Sequence, residues 1–336
     1  MDRDVGVVIL GLGELAHAVH ERQRGDEARE PEGPFERAVD LSPIVCRHAG
    51  SIYDRRTMTT PAENAAGGMR ASREPRRAGR ELVLEVVFRP LADVLTLPLA
   101  RLRVPPPAVV LANAAAGLAG ALVLARGELL GAAVLLQTKT LLDNVDGQLA
   151  RLTGRVTLAG RYLDTEVDLV VNAAIFAGLA YVTGQPLLSL ASFAALTLLL
   201  ALDYNATQAY REAHGIASPA PSPSGNRGER VLASIYVVVF APLDRAVRRI
   251  SSRRFERLVT GEERPESVRA ASLAYHDRTS VTVLANLGLS TQLAVLGVCL
   301  VARVPELYLW LVLGALALTV PLQLRRERLA RAALAR

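Results

Sequence analysis

Cysteine is scarce in this chain of 336 residues. Its two cysteines, Cys46 and Cys299, stand far apart, and Cys299 lies inside an apolar run, so neither a disulfide framework nor a thiolate metal site is supported. Aromatic residues make up only 4% of the chain and do not interleave with its arginines. That argues against a nucleic-acid partner in spite of the formal net charge of +6. Charge is sparse as well, at 21% against 51% hydrophobic residues, and it is segregated. Long blocks lack Asp, Glu, Lys and Arg altogether, while others are crowded with Arg. These proportions exclude a disordered chain, a collagen and an ordinary water-soluble enzyme.

The apolar blocks have membrane dimensions. Residues 104–125 and 279–302 each exceed the roughly 20 residues a helix needs to cross the hydrocarbon layer. The uncharged stretch 169–202 is too long for one span, and Thr183, Gly184, Gln185 and Pro186 mark a turn near its middle. Residues 307–324 give another span, with Pro321 near its end. Residues 129–150 begin apolar and then carry Lys139, Asp143 and Asp146, as for a helix with a polar end. The prediction is an all-α polytopic membrane protein of six transmembrane helices. Around them lie a polar segment of unknown role at 1–80, an interfacial amphipathic helix at 81–103, and four spans within 104–210. A linker region follows at 211–278, then two spans and a basic tail at 279–336. Within the linker, 217–225 is rich in Pro and Ser, and the 13-residue apolar stretch 231–243 is too short to span and predicts a second interfacial helix. Every arginine except Arg126 and Arg303 falls on one side of this arrangement. Positive charge stays on the cytoplasmic face, so both termini and the 143–168 region are expected there, in a bacterial-type inner membrane. No cleavable signal precedes the first span.

One N-terminal pattern resembles a nucleotide site in outline. Residues 5–10 could form a strand, and Gly11, Gly13 and Ala16 then satisfy G-x-G-x-x-A. Too little chain follows, with no clear second and third strand, to build the remaining strands of such a domain; an accessory cap is the expectation.

The informative chemistry lies in 143–168. Asp143 and Asp146 are three residues apart, Asp164 and Asp168 four apart, so each pair shares one face of a helix. Gly154 and the polar residues up to Gly160 allow a turn that opposes the two faces. Four carboxylates at membrane depth repel each other and are costly to desolvate, so they bind cations or take up protons. An all-oxygen donor set favours Mg²⁺, Mn²⁺ or Ca²⁺ over zinc. Gly147, Ala150 and Gly160 leave room beside the acids for a phosphate-bearing ligand, with Arg151 near to balance charge. Ala112, Ala116 and Gly120 are expected to pack the first span closely against its neighbours. Lys139, the chain's one lysine, lies one turn before Asp143. Two readings stand for it: binding an acceptor phosphate, or pairing with Asp143. Arg155 and Arg161 could assist such an acceptor, and Asp203, Tyr204 and Asn205 could border the cavity.

Asp143, Asp146, Gly147, Ala150, Arg151, Gly160, Asp164 and Asp168 reproduce D-x2-D-G-x2-A-R-x8-G-x3-D-x3-D. In this the chain closely resembles the CDP-alcohol phosphatidyltransferases. The resemblance implies six spans, an interfacial N-terminal helix, a cytoplasm-facing cavity and a homodimer. It implies that two divalent cations, Mg²⁺ or Mn²⁺, are held by Asp143, Asp146, Asp164 and Asp168, with Asp168 as general base. It further implies a nucleotide site at Gly147, Ala150, Arg151 and Gly160, a CDP-linked lipid donor drawn from the membrane lipids, and a small alcohol acceptor. The acceptor-side residues Lys139, Arg155 and Arg161 suit an anionic polyol such as an inositol or glycerol phosphate. The chain departs from the family at Pro105, Pro106 and Pro107, where many members have Thr-Pro-Asn, and at Leu169, where several have Arg or Lys. Two rival classes also use buried acids: UbiA-like prenyltransferases, whose paired motifs sit on well-separated helices, and divalent-cation transporters, which have no use for the Gly147, Ala150 and Arg151 pattern.

Overall fold

The structure, a computed structural model, describes residues 79–216, 225 and 227–336. The pattern at Gly11, Gly13 and Ala16, Cys46 and nearly all of the 1–80 segment lie outside the described residues, as does most of the Pro/Ser stretch at 217–225.

A π-helical turn at Leu84–Phe88 leads into α1 (Arg89–Arg101). Leu84, Phe88, Ala92 and Thr96 recur every four residues and are buried, whereas Leu91, Val94 and Leu95 are exposed. This is the division an interfacial helix requires, one face on the protein and the other apolar and unpacked. The chain then enters α2 (Pro106–Ala125), with Pro105 extended and a proline in the first turn, where the missing N–H has no helical partner to lose. Next come α3 (Leu129–Leu152), α4 (Leu158–Thr183) and α5 (Pro186–Ala213). The turn expected at 183–186 is there: Gly184, at φ 67°, ends α4 and Pro186 starts α5.

Four helices, α2, α4, α5 and α11 (Pro305–Leu334), are long and apolar enough to cross a membrane, and the tract Pro265–Val301 adds a fifth candidate. With 24 residues α3 has a similar length, but Lys139, Asp143 and Asp146 interrupt its apolar surface. The fold is therefore an all-α polytopic membrane fold.

Two sequence expectations are corrected beyond α5. The stretch 231–243 is not one interfacial helix but the end of α6 (Arg227–Val239) and the start of α7 (Ala241–Val259). The chain breaks at Phe240, where the Tyr236 ring stacks at 5.5 Å and the Tyr236 hydroxyl donates to Asp244 Oδ2 at 2.8 Å. Burial and the adjacent Asp244 carboxylate both push the Tyr236 phenol above its ordinary range. The expected span 279–302 is also interrupted. After α8 (Pro265–Tyr275) the chain forms α9 (Arg278–Ala285), turns, and continues as α10 (Leu289–Val301). The reason is Asn286: its side chain accepts from Leu82 N–H at 2.9 Å and donates to the Arg80 carbonyl at 2.5 Å, tying the turn to the segment before α1.

Buried side chains of α2, α3, α4, α5, α10 and α11 share one core, centred on Leu124, Leu136, Ile175, Leu196, Leu296 and Tyr308. In lipid such helices gain little from the hydrophobic effect, so close approach and interhelical hydrogen bonds carry the association. Ser192 Oγ donates to the Leu309 carbonyl at 3.0 Å, and Gln137 Nε2 to the Leu293 carbonyl at 2.8 Å. The small-residue face of α2 agrees with the expectation at Gly120 and departs from it at Ala112. Ala112 is exposed and Ala116 half-buried, while Gly117 and Gly120 face inward. A methyl group on Gly117 would strike Val171 of α4 and approach Lys139 Cγ to 3.2 Å. Gly117 is thus what lets α2 lie against α3 and α4 at the level of Lys139. Replacing Gly117 by Val should cost about 1–3 kcal/mol through overpacking, read as a lower thermal midpoint in detergent. Gly314→Ala, where an added methyl meets nothing within 4 Å, should leave the midpoint unchanged or raise it.

Candidate active site

The site is built by the α3–α4 hairpin. Gly154, at φ 66°, lets the chain leave α3, and Arg155 N–H closes the turn on the Ala150 carbonyl at 2.8 Å. Thr157 then caps α4, its hydroxyl accepting from Gly160 N–H at 3.1 Å. Neighbouring antiparallel helices result, with the acidic faces opposed. One carboxylate oxygen from each of Asp143, Asp164 and Asp168 lies within 4.8 Å of the others. Asp146 stands outside that set but is buried one turn away on α3, 6% exposed.

Lys139 is completely buried among these acids. Its Nζ donates to Asp168 Oδ1 at 2.5 Å and lies 3.6 Å from Asp143 Oδ1. Of the two sequence readings, the one that pairs it with Asp143 has its contact here, and a shorter one is made to Asp168 across the helix pair. One ammonium faces four carboxylates, so formal negative charge remains in excess. Two oxygens, Asp146 Oδ2 and Asp164 Oδ1, are buried without a hydrogen-bond partner among the described residues. Buried acceptors left this way cost about 1–3 kcal/mol each, and a hard cation satisfies them. Orphan oxygens, clustered carboxylates and a purely oxygen donor set together fit a divalent ion of the Mg²⁺ or Mn²⁺ type.

The remaining motif residues line the approach. A methyl on Gly147 would lie 3.3 Å from Arg151 Nη1, so the guanidinium folds back over the glycine. Ala150, Arg151 and Gly160 are half-buried at the turn end of the hairpin. Arg155 and Arg161 are exposed there. Asn205, in contrast, is turned away: its Nδ2 donates to Asp244 Oδ1 at 3.1 Å and ties α5 to α7.

Two contributors escape a reading of the motif alone. Asn113 of α2, fully buried, donates from Nδ2 to Asp143 Oδ1 at 3.1 Å. Its signal was a lone amide in the middle of an apolar run, which marks functional polar groups in membrane helices. Thr96 donates to Gln148 Oε1 at 3.2 Å, fixing α1 against α3 one turn past Asp143 and Asp146. That pairing has no local sequence signal.

The family model for CDP-alcohol phosphatidyltransferase matches residues 91–246. A curated relative, the phosphatidylinositol phosphate synthase of Streptomyces avermitilis, is 40% identical over 83 residues, 24% of this chain and 34% of the relative. The chain thus spans about a third of that relative's length. No solved structure matches the chain. With α1 to α4 holding the acidic hairpin inside the matched segment, residues 91–246 constitute a CDP-alcohol phosphatidyltransferase domain of an integral membrane protein.

Proposed function

We propose that the protein is a divalent-metal-dependent enzyme that transfers a phosphatidyl-type group from a CDP-linked lipid to an acceptor alcohol and releases CMP. The carrying observation is the convergence of Asp143, Asp164 and Asp168 within 4.8 Å, beside buried unpaired oxygens of Asp146 and Asp164. Asp143, Asp146, Asp164 and Asp168 would hold two ions, Mg²⁺ or Mn²⁺. When bound, the ions supply neutralisation of the charge that develops on the diphosphate.

The chain's own groups do the rest. Gly147, Ala150 and Gly160 leave space for the cytidine nucleotide, and Arg151 offers donors to its phosphates. Asp168 takes the proton of the acceptor hydroxyl as the new oxygen–phosphorus bond forms, and the bond to the CMP oxygen breaks with its electron pair leaving on CMP. Lys139 is a counter-charge for Asp168 and Asp143: both contacts are made within the protein. Asn113 orients Asp143. The acceptor is a small anionic polyol, with inositol phosphate first because the relative's name states a phosphatidylinositol phosphate product, and glycerol phosphate second. Exposed Arg155 and Arg161 are placed to meet its phosphate. Arginine segregation supports a cytoplasmic site and cytoplasmic termini, and the assembly proposed is a homodimer.

Purified protein given a CDP-linked lipid and a panel of alcohols should release CMP with a phosphorylated polyol; turnover with serine alone would exclude this acceptor class. Asp168→Asn should stay folded with a lowered thermal midpoint, because buried Lys139 loses its nearest counter-charge, and should bind Mn²⁺ more weakly through Asp143, Asp146 and Asp164. At saturating Mn²⁺ it should still lose CMP release by about 10²–10⁴-fold, the usual weight of a positioned base. Undiminished release would remove Asp168 from the reaction. Lys139→Met should lower the midpoint of the metal-free protein, with Mn²⁺ restoring part of the loss, and should slow phosphorylated and unphosphorylated acceptors alike. A loss confined to phosphorylated acceptors, seen as a higher KM, would reassign Lys139 to acceptor binding.

A further inference from the structure

A cavity of about 560 Å³ opens between α5, α7, α8 and α11, and no residue of α2, α3 or α4 lines it. It is therefore separate from the aspartates. Its α5 wall lies within residues 91–246 and its other lining residues beyond them. Its lining is graded. Leu198 and Leu202 of α5 and Leu316 and Val320 of α11 line it from the apolar stretches of their helices, and Arg248 and Arg254 line it from the arginine-rich α7. Because α5 and α11 are membrane-crossing helices, the apolar end lies at a depth where acyl chains are the available filler.

The basic end keeps donors to spare. Arg248 gives only Nη2, to both oxygens of Glu212 at 3.1 Å, and Arg254 only Nη1, to Glu327 Oε1 at 3.2 Å. A guanidinium carries five N–H donors, so most of each fork is uncommitted among the described residues. The third lining guanidinium, Arg326, is turned inward: Nε donates to the Tyr275 carbonyl at 2.9 Å, and its carbon lies 4.4 Å above the Tyr275 ring. Exposed Arg245, Arg249 and Arg253 continue the positive surface along α7. The lining carboxylates Glu212 and Glu256, with Glu327 on Arg254, match the three lining guanidiniums in number, so the net positive charge of this end comes from Arg245, Arg249 and Arg253 beside the cavity.

We propose that this cavity binds one anionic phospholipid, its acyl chains between α5 and α11 and its phosphate on Arg248 and Arg254. Charge complementarity selects an anionic over a zwitterionic headgroup. The apolar half selects a lipid over a free anion.

The full chain, delipidated in detergent, is offered vesicles of phosphatidylglycerol or of phosphatidylcholine with the same acyl chains, and retained lipid is counted by native mass spectrometry. One phosphatidylglycerol should be retained per chain, with about tenfold preference over phosphatidylcholine, and excess inorganic phosphate should not displace it. Arg248→Gln with Arg254→Gln should abolish the preference. Val320→Trp, at a position 61% exposed and so tolerant of bulk, should reduce retention of both lipids. On the unmodified protein, phosphatidylglycerol carrying a photoreactive acyl chain should label α5 or α11 peptides bordering the cavity. Equal retention of the two lipids, displacement by phosphate, retention untouched by Val320→Trp, or labelling confined to other helices would each overturn the proposal.

Discussion

Four carboxylates taken out of water on two packed helices need positive charge or protons among them. Burying an ionised group costs several kcal/mol even after the protein relaxes, and like charges at these separations add to it. Much of the domain is arranged around that constraint. Lys139, inside the bundle with no exposure, supplies one positive charge. Asn113 and the hairpin turn hold the acids in register. The negative charge left over is what the proposed divalent ions would neutralise.

Packing then makes the arrangement specific. Gly117 places α2 directly over the Lys139 stem and Val171, and Gly178 of α4 lets the Ala121 carbonyl approach to a distance of 2.9 Å from where a methyl would sit. Meanwhile α1, linked through Thr96 and Gln148, covers the same end of α3. At Gly117 packing and site meet, since the close approach of α2 there also covers the Lys139 stem.

The fold and the acidic site were legible to different depths. Helices α2, α4, α5 and α11 follow from uncharged length alone, and the turn at Gly184 and Pro186 from residues that cannot continue a helix. The opposition of Asp143 to Asp164 and Asp168 follows from two spacings and one glycine turn. What was not legible depends on partners distant in sequence. The interruption at Asn286 comes from backbone groups of Arg80 and Leu82, some 200 residues away. The preference of Lys139 for Asp168 depends on how deeply α3 and α4 are set against each other, which no spacing within one helix encodes. The break between α6 and α7 rests on Tyr236 reaching Asp244 and the Tyr162 ring at 5.2 Å. Small residues on α2 were recognised as a packing device, with Gly120 placed on the packed face and Ala112 wrongly so, because every face of so apolar a helix offers alanines.

The central claim is that the acidic faces of α3 and α4 jointly seat divalent ions. An experimental structure of the protein prepared with Mn²⁺, with anomalous scattering recorded at the manganese edge, tests it most directly. The account predicts anomalous density between the two helices, in bonding contact with carboxylate oxygens of Asp143, Asp164 and Asp168, and with Asp146 completing the shell. Density elsewhere, or a Mn²⁺-saturated protein in which these side chains share no ion, would contradict it.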